Sequence, residues 1–376
     1  MNFQFADEDR EVAELARKIL EDKLGNDRLK EIEALDPVFD AEAWSALAES
    51  NLLGVAIPEE FGGMDLGFFA LCLLCQEVGR SVAPVPVYAS LVLGALPLAR
   101  FGTAEQKEAW LAKVAGGELI LTAALCELDS SDPLAPSTRA QSTGNGYRLS
   151  GEKSLVPAGG QASHVLVPAT DESGGIVLAW VDMAAPGVKC EPQVCSDRQP
   201  HAHIALDGVE VSECDLLGGG DARACLGWLV EHASAARCVM QLGVCERALE
   251  MTSEYGRERV QFDRPIGSFQ AFHQRAADAF IMVEALRLTA WEAAWLLSVE
   301  NPGSEAVAVA KYWAAEGGQF SAYACQHLHG GIGIDVDYPL HRFFIWATRI
   351  EHELGSAPHQ LEKLGAHIAE NGLPEF

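Results

Sequence analysis

Apolar positions over the first 118 residues recur at spacings of three and four. They run through Val12, Leu15, Ala16, Ile19 and Leu20, and again from Ala43 to Leu53. That rhythm predicts amphipathic helices. The stretch Pro58-Glu59-Glu60-Phe61-Gly62-Gly63 breaks it, and Thr103, with Glu105 and Gln106 behind it, predicts the N-cap of a further helix. From residue 119 the texture changes to short β-favouring segments, Leu119–Leu125, Gly146–Leu149, His164–Val167, Ile176–Val181 and His203–Leu206. Turn residues such as Thr143-Gly144-Asn145-Gly146 and Ser173-Gly174-Gly175 separate them, which predicts a small antiparallel β domain or barrel. Gly218-Gly219-Gly220 predicts a linker, after which Leu226–Tyr255, Ala271–Ser298 and Glu305–His327 carry long helical patterns. Long helices of this kind build a bundle and often an oligomer interface. The expected architecture is mainly α with a central β domain. An N-terminal helical domain (1–118) precedes a middle antiparallel β domain (119–217) and a C-terminal four-helix-bundle domain (218–376).

Composition narrows the function classes. The net charge is −27 with no block of clustered Lys and Arg, so a nucleic-acid partner is not expected. Hydrophobic residues make up 49% of the chain, yet no run is long enough to predict a membrane span. The acidic, helical N-terminus does not read as a secretory signal. The ten cysteines form no framework of paired spacings. Cys72 and Cys75 make a C-x-x-C inside an apolar helical run, which reads as buried packing. No second pair with zinc spacing exists, so no metal site is expected, and a reducing cytoplasmic compartment fits this cysteine usage.

Four motifs carry a resemblance. Pro58-Glu59-Glu60-Phe61-Gly62-Gly63 resembles P-E-x-[YF]-G-G, and Gly146-Tyr147-Arg148-Leu149-Ser150-Gly151-Glu152-Lys153 resembles a G-[YF]-x-[LI]-x-G-x-K strand. Arg259 to Gln270 is similar to R-x-x-F-G-x-P-[IL]-x-x-x-Q between two long helices, and His329-Gly330-Gly331-Ile332-Gly333 is similar to a glycine loop near the C-terminus. In this order, over essentially the whole chain, they resemble the acyl-CoA dehydrogenase family. Arg259, at a helix end, could present a bidentate fork to a pyrophosphate or only cap the helix dipole. The glycine loop lets backbone amides approach an anion. The resemblance implies that Arg259 and Gly330, Gly331 and Gly333 reach across an interface to the FAD of a neighbouring subunit. Gln261, Phe262, His327 and Ser356 fall at further cofactor-contacting positions. His327 stands where the family usually has Gln, next to Gln326.

The chain departs from the pattern where chemistry is done. Abstraction of the proton α to a thioester needs a carboxylate base. The family's Y-E-G-[TS] stretch corresponds to Ile350-Glu351-His352-Glu353-Leu354-Gly355-Ser356, which puts Leu354 at the base position. Glu353 and Glu351 are the candidates for a displaced base. The family's alternative base position, 26 residues before Arg259, holds Ala233. Glu231 lies two residues earlier, about 200° around the helix. The flavin-facing W-[IV]-[TS]-N segment is replaced by Ser154-Leu155-Val156-Pro157-Ala158, and T-E-P-x-x-G-S-D by Cys126-Glu127-Leu128-Asp129-Ser130-Ser131-Asp132.

What a chain uses for its own flavin and substrate is altered, and what it lends to a neighbour is kept. That asymmetry resembles the partner subunits of heterotetrameric acyl-CoA dehydrogenases of steroid side-chain catabolism, as does Tyr338-Pro339-Leu340-His341-Arg342-Phe343-Phe344. The resemblance implies an acyl-CoA substrate, a second dehydrogenase subunit carrying the base, and electron-transfer flavoprotein or a similar acceptor. Two other readings stand beside it. One is a self-sufficient homotetramer with Glu353 or Glu351 as base. The other is a flavin-free scaffold that binds an acyl-CoA or a partner.

Overall fold

The computed structural model describes residues 5–130, 132–217, 221–301 and 303–373. The chain divides into two compact units, one of residues 1–19, 30–71 and 84–233, the other of 20–29, 72–83 and 234–376.

Helices α1 (Asp7–Lys23) and α2 (Asn26–Glu33) open the chain, and the first unit joins helices, α5 (Leu96–Phe101) among them, to a β-sheet. Helix α3 (Ala41–Glu49) starts at Asp40, whose buried carboxylate accepts the amides of Glu42 and Ala43 at 3.0 and 2.9 Å. Helix α6 (Ala104–Ala115) starts at Thr103 as expected, with a reciprocal capping box to Gln106. The Gln106 amide also donates to the carbonyls of Cys214 and Leu216 at 2.8 and 2.9 Å, which ties α6 to the chain leaving the sheet. A π-helix at Tyr88–Ala95, buried throughout, was not legible in the periodicity.

Seven strands form the sheet: β1 (Leu121–Ala123), β2 (Arg139–Ser142), β3 (Gly146–Pro157), β4 (His164–Asp171), β5 (Ile176–Asp182), β6 (Val188–Val194) and β7 (Pro200–Ser212). Their order is β1-β4-β2-β3-β7-β6, with β5 on β4. The sheet is mixed, which corrects the expectation of an antiparallel one: β4 runs parallel to both β1 and β2. Leu149, Val165, Val167, Ile204 and Val209 fill its core. The expected Gly218-Gly219-Gly220 linker lies outside the described residues, as does Ser131.

The second unit contains α7 (Ala222–Glu258) from Ser234 onward, α8 (Gln270–Ser298), α9 (Ser304–His329), α10 (Leu340–His352) and α11 (Ala357–Asn371). The last residues of α4 (Gly67–Arg80) cross α7 at backbone contact. A Cβ on Gly243 would lie 2.0 Å from the Gln76 carbonyl, and one on Gly79 would lie 2.1 Å from that of Met240. Only glycine fits such a crossing. Cys72 and Cys75 are fully buried with free thiols, and burial pushes the Cys75 thiol up to about 12, so the pair packs as expected. Among the described residues no helix is long and apolar enough to cross a membrane.

Candidate functional site

Helix α7 ends at Glu258, and Arg259 follows it with its side chain exposed. The chain then makes a two-stranded hairpin, β8 (Val260–Gln261) and β9 (Arg264–Pro265), closed by an Ile266 amide to Arg259 carbonyl bond of 2.8 Å. Phe262 and Asp263 at its tip have φ of 53° and 61°, as tight hairpin turns demand. Phe262 is 87% exposed, an apolar ring held out in solvent. Gln261 is exposed beside it.

The glycine loop is held next to this helix end. His329, the last residue of α9, stacks on Tyr255, one turn before Arg259, at 4.5 Å between centroids and 15° between planes. Its Nδ1 donates to the Cys325 carbonyl at 2.8 Å and its Nε2 meets the Tyr338 hydroxyl at 3.1 Å. Burial pushes the imidazole below its ordinary pKa, so it braces the loop as a neutral ring. Beyond it Gly330 (φ 64°) and Gly331 are exposed, and a Cβ on either would meet nothing within 4 Å. Their backbone is open to an approaching group, whereas Gly333 is buried. His327 is exposed, while the Oε1 of Gln326 is buried without a hydrogen-bond partner. Arg259, Gln261, Phe262 and the glycine loop therefore share one end of the second unit.

The base candidates sit at the C-terminus of α10. Leu354 occupies the aligned position in a left-handed turn (φ 57°) and offers no atom that can take a proton. Glu353 is half-buried and engaged. Arg237 donates to its Oε1 at 3.0 Å, and Arg349 lies 3.8 Å from its Oε2. Glu351 accepts from the Gln319 amide at 3.0 Å, and burial raises its carboxyl above the ordinary range, partly offset by His352 and Lys311. Fully buried Lys311 donates to the Ile350 and Glu351 carbonyls at 3.1 and 3.0 Å, supplying the partners that a helix C-terminus lacks. Ser356 is the N-cap residue of α11 and makes no side-chain cap bond.

The alternative position lies in the first unit. Ala233 is fully buried, its carbonyl 3.4 Å from the Tyr88 hydroxyl. The neighbouring His232 is stacked on Trp228 at 3.7 Å and lies 4.5 Å from Phe68. Burial depresses its pKa to about 4, so it is neutral near pH 7.

The β domain holds a feature that sequence reasoning missed. Lys153, 1% exposed, places Nζ 2.6 Å from Glu127 Oε1 and 2.7 Å from the Pro168 carbonyl. Glu127 also accepts the Thr138 amide and hydroxyl at 3.0 and 2.6 Å and the Ser137 amide. Despite the cost of burial, Lys153 and these donors hold its carboxyl down at about 2. One residue on, the polar groups at Ser154 and Leu155 bond within the chain. The Ser154 amide donates to the Cys126 carbonyl at 2.9 Å, the Leu155 amide to Gln193 Oε1 at 2.6 Å, and Gln193 Nε2 to the Ser154 hydroxyl at 3.0 Å.

Comparison with known proteins decides the family. The family model described as "Acyl-CoA dehydrogenase, N-terminal domain" matches residues 6–118, and "Acyl-CoA dehydrogenase, C-terminal domain" matches residues 222–369. The chain belongs to the acyl-CoA dehydrogenase family. It is 37% identical to Acyl-CoA dehydrogenase FadE27 of Mycobacterium tuberculosis, covering 98% of this chain and 99% of that one. Among solved structures it is similar to the ChsE4-ChsE5 complex from Mycobacterium tuberculosis, with 38% identity, a TM-score of 0.93 and full coverage of both chains. It is also similar to a variant of the Tcur3481-Tcur3483 steroid ACAD, with 42% identity, a TM-score of 0.91 and coverage of 97% and 98%.

Acyl-CoA dehydrogenases are FAD flavoproteins and oxidoreductases acting on CH-CH bonds. Arg259 and the open Gly330–Gly331 backbone fit the pyrophosphate of such a cofactor, since a guanidinium fork and unhindered amides are its natural ligands. The Ser154–Leu155 segment does not fit a flavin ring in the same way, because the donors a ring would need already bond to Gln193 and Cys126.

Proposed function

We propose that this chain is the partner subunit, without a base of its own, of a heteromeric acyl-CoA dehydrogenase that introduces an α,β double bond into a bulky CoA thioester such as a steroid side chain. The observation that carries the proposal is Leu354 at the base position and Glu353 held in an ion pair by Arg237, whereas Arg259 and the glycine loop are left open at the surface. The similarity to the ChsE4-ChsE5 complex and to the Tcur3481-Tcur3483 steroid ACAD supports both the heteromer and the substrate class.

FAD, when bound, supplies the two-electron acceptor for the hydride that leaves the β-carbon. This chain's share is binding. Arg259 holds the pyrophosphate charge, the Gly330 and Gly331 amides approach the same anion, and the exposed hairpin carries Gln261 and Phe262 to the neighbour's cofactor. His327 stands beside them. The α-proton leaves to a carboxylate of the other subunit, and electron-transfer flavoprotein or a similar acceptor takes the electrons onward.

Co-expression with the second subunit tests this reading. The expected result is a heteromer with visible flavin and dehydrogenation of a steroid-side-chain CoA thioester, and a colourless, inactive chain when purified alone. A yellow, active homomer overturns it. One observation favours a second reading, a self-sufficient enzyme using Glu351: burial raises that carboxyl toward the range of a working base. Turnover in Glu351→Gln equal to that of the unaltered protein excludes it.

A further inference from the structure

Strand β6 ends at Val194 and β7 begins at Pro200, and these two residues pair across the turn. Within that turn one ligand atom each of Cys195, Asp197 and His201 comes together, all within 4.8 Å of one another. The sequence pattern is Cys-x-Asp-x-x-x-His, with a single cysteine and so no paired-cysteine signature. We propose that these three side chains form a binding site for a borderline-soft divalent cation, zinc above all, separate from the flavin and acyl-CoA chemistry of the family.

The turn is pre-shaped for this. The Arg198 amide donates to the Cys195 carbonyl at 3.0 Å, and the Gln199 amide donates to Asp197 Oδ1 at 3.1 Å. The first bond closes the turn that carries Cys195, and the second holds the Asp197 carboxylate in place. His201 is 5% exposed, its strand position opposite Pro157 of β3 fixes its backbone, and the adjacent Pro200 carbonyl accepts the Ala158 amide at 2.8 Å. Its Nδ1 lies 2.8 Å from the Gln199 carbonyl, so Nδ1 carries the proton and Nε2 carries the lone pair. A ring nitrogen donating to a backbone carbonyl is the arrangement that orients a metal-binding histidine and raises its basicity.

The donor set selects the ion. A thiolate with an imidazole and a carboxylate suits zinc, and calcium and magnesium prefer all-oxygen sites. Bonds of about 2.0–2.3 Å in a tetrahedron bring ligand atoms to about 3.3–3.8 Å apart, a contraction of at most about 1.5 Å from separations that are all within 4.8 Å here. Three protein ligands leave a fourth position for water. Binding releases one proton from the Cys195 thiol to solvent and changes no oxidation state. The bound ion would clamp the end of the hairpin in which Gln193 holds the Ser154–Leu155 turn.

The test uses the tag-free full chain, stripped with a chelator and titrated with Zn²⁺ alone, then with Co²⁺ as a spectroscopic probe. The expected result is one Zn²⁺ per chain and a Co²⁺ complex with tetrahedral bands and a thiolate-to-metal charge-transfer band. Cys195→Ser and Asp197→Asn alter half-buried turn residues, so the fold is retained, and each removes a ligand and should weaken binding by at least the roughly 10–100-fold that loss of an outer-shell partner costs. Cys190→Ser, on the exposed strand β6, should bind as the unaltered chain does. Absence of stoichiometric Zn²⁺, binding that Cys195→Ser and Asp197→Asn leave unchanged, or a Co²⁺ spectrum without a thiolate band would each overturn the assignment.

Discussion

Replacing Glu353 by Gln separates a structural carboxylate from a catalytic one. The side chain sits 3.0 Å from Arg237 and 3.8 Å from Arg349, and the three groups are only 12%, 11% and 14% exposed. At an effective dielectric constant of about 20, a unit charge pair about 4 Å apart attracts by about 4 kcal/mol. Desolvation of both ions returns much of that. Exposed pairs contribute about 0–1 kcal/mol, and breaking a fully buried one costs about 3–5. A half-buried pair between these limits gives about 2 kcal/mol for the neutral Gln, a fall in Tm of about 2–6 °C for a chain of this size. The Arg237→Met variant should lose a similar amount, and the double variant should lose less than the sum by about 1 kcal/mol. Calorimetry on the isolated chain measures these losses, and turnover of the reconstituted heteromer measures the rest. The expected change in kcat is less than about twofold. Losing a general base costs about 10²–10⁴-fold, so a drop of that size with an unchanged Tm would refute the structural role.

Three further outcomes follow from the same geometry. Lys153→Met leaves Glu127 buried without its cation and should cost about 3–5 kcal/mol, read from denaturant unfolding. Because the folded Glu127 carboxyl sits at about 2, below its ordinary 4.5, its stabilisation is complete above about pH 5 and fades as pH falls toward 2. A Tm profile over acid pH should show that loss in the unaltered chain and a smaller one in Lys153→Met, where the cation that holds the carboxyl down is gone. Gly243→Ala drives a methyl group against the Gln76 carbonyl and should destabilise by about 2 kcal/mol or more, measured by thermal unfolding. Arg259→Gln alters an exposed side chain, so Tm should hold within about 0.5 kcal/mol. It also removes a charged hydrogen-bond donor from the cofactor site, so the heteromer's affinity for FAD should fall about 10-fold or more.

What the sequence revealed and what it hid divide along physical lines. Three-and-four spacing exposed the long helices because each buries one face, and Thr103 with Gln106 marked α6 because a cap is a local interaction. Strand β6 was missed because nearly all of Val188–Val194 is exposed and shows no alternation. The short, polar β2 was missed in the same way. Parallel pairing of β4 with β1 and β2 is a long-range choice with no local signature. Leu354 and Ala233 could be placed by motif alignment. The fate of Glu353 could not, since its partner Arg237 lies 116 residues away. Lys153 was visible as a motif residue, but its clasp on Glu127 spans 26 residues and appears only in three dimensions.

The central claim is that this chain lends Arg259 and the Gly330 loop to a flavin whose base belongs to another subunit. Flavin absorbance, and its bleaching by a steroid-side-chain CoA thioester under anaerobic conditions, tests it directly in the isolated chain and in the heteromer. The account predicts bound, bleachable flavin in the heteromer alone, with bleaching that survives Glu351→Gln and Glu353→Gln in this chain. Stoichiometric flavin bleached by substrate in the isolated chain would contradict it.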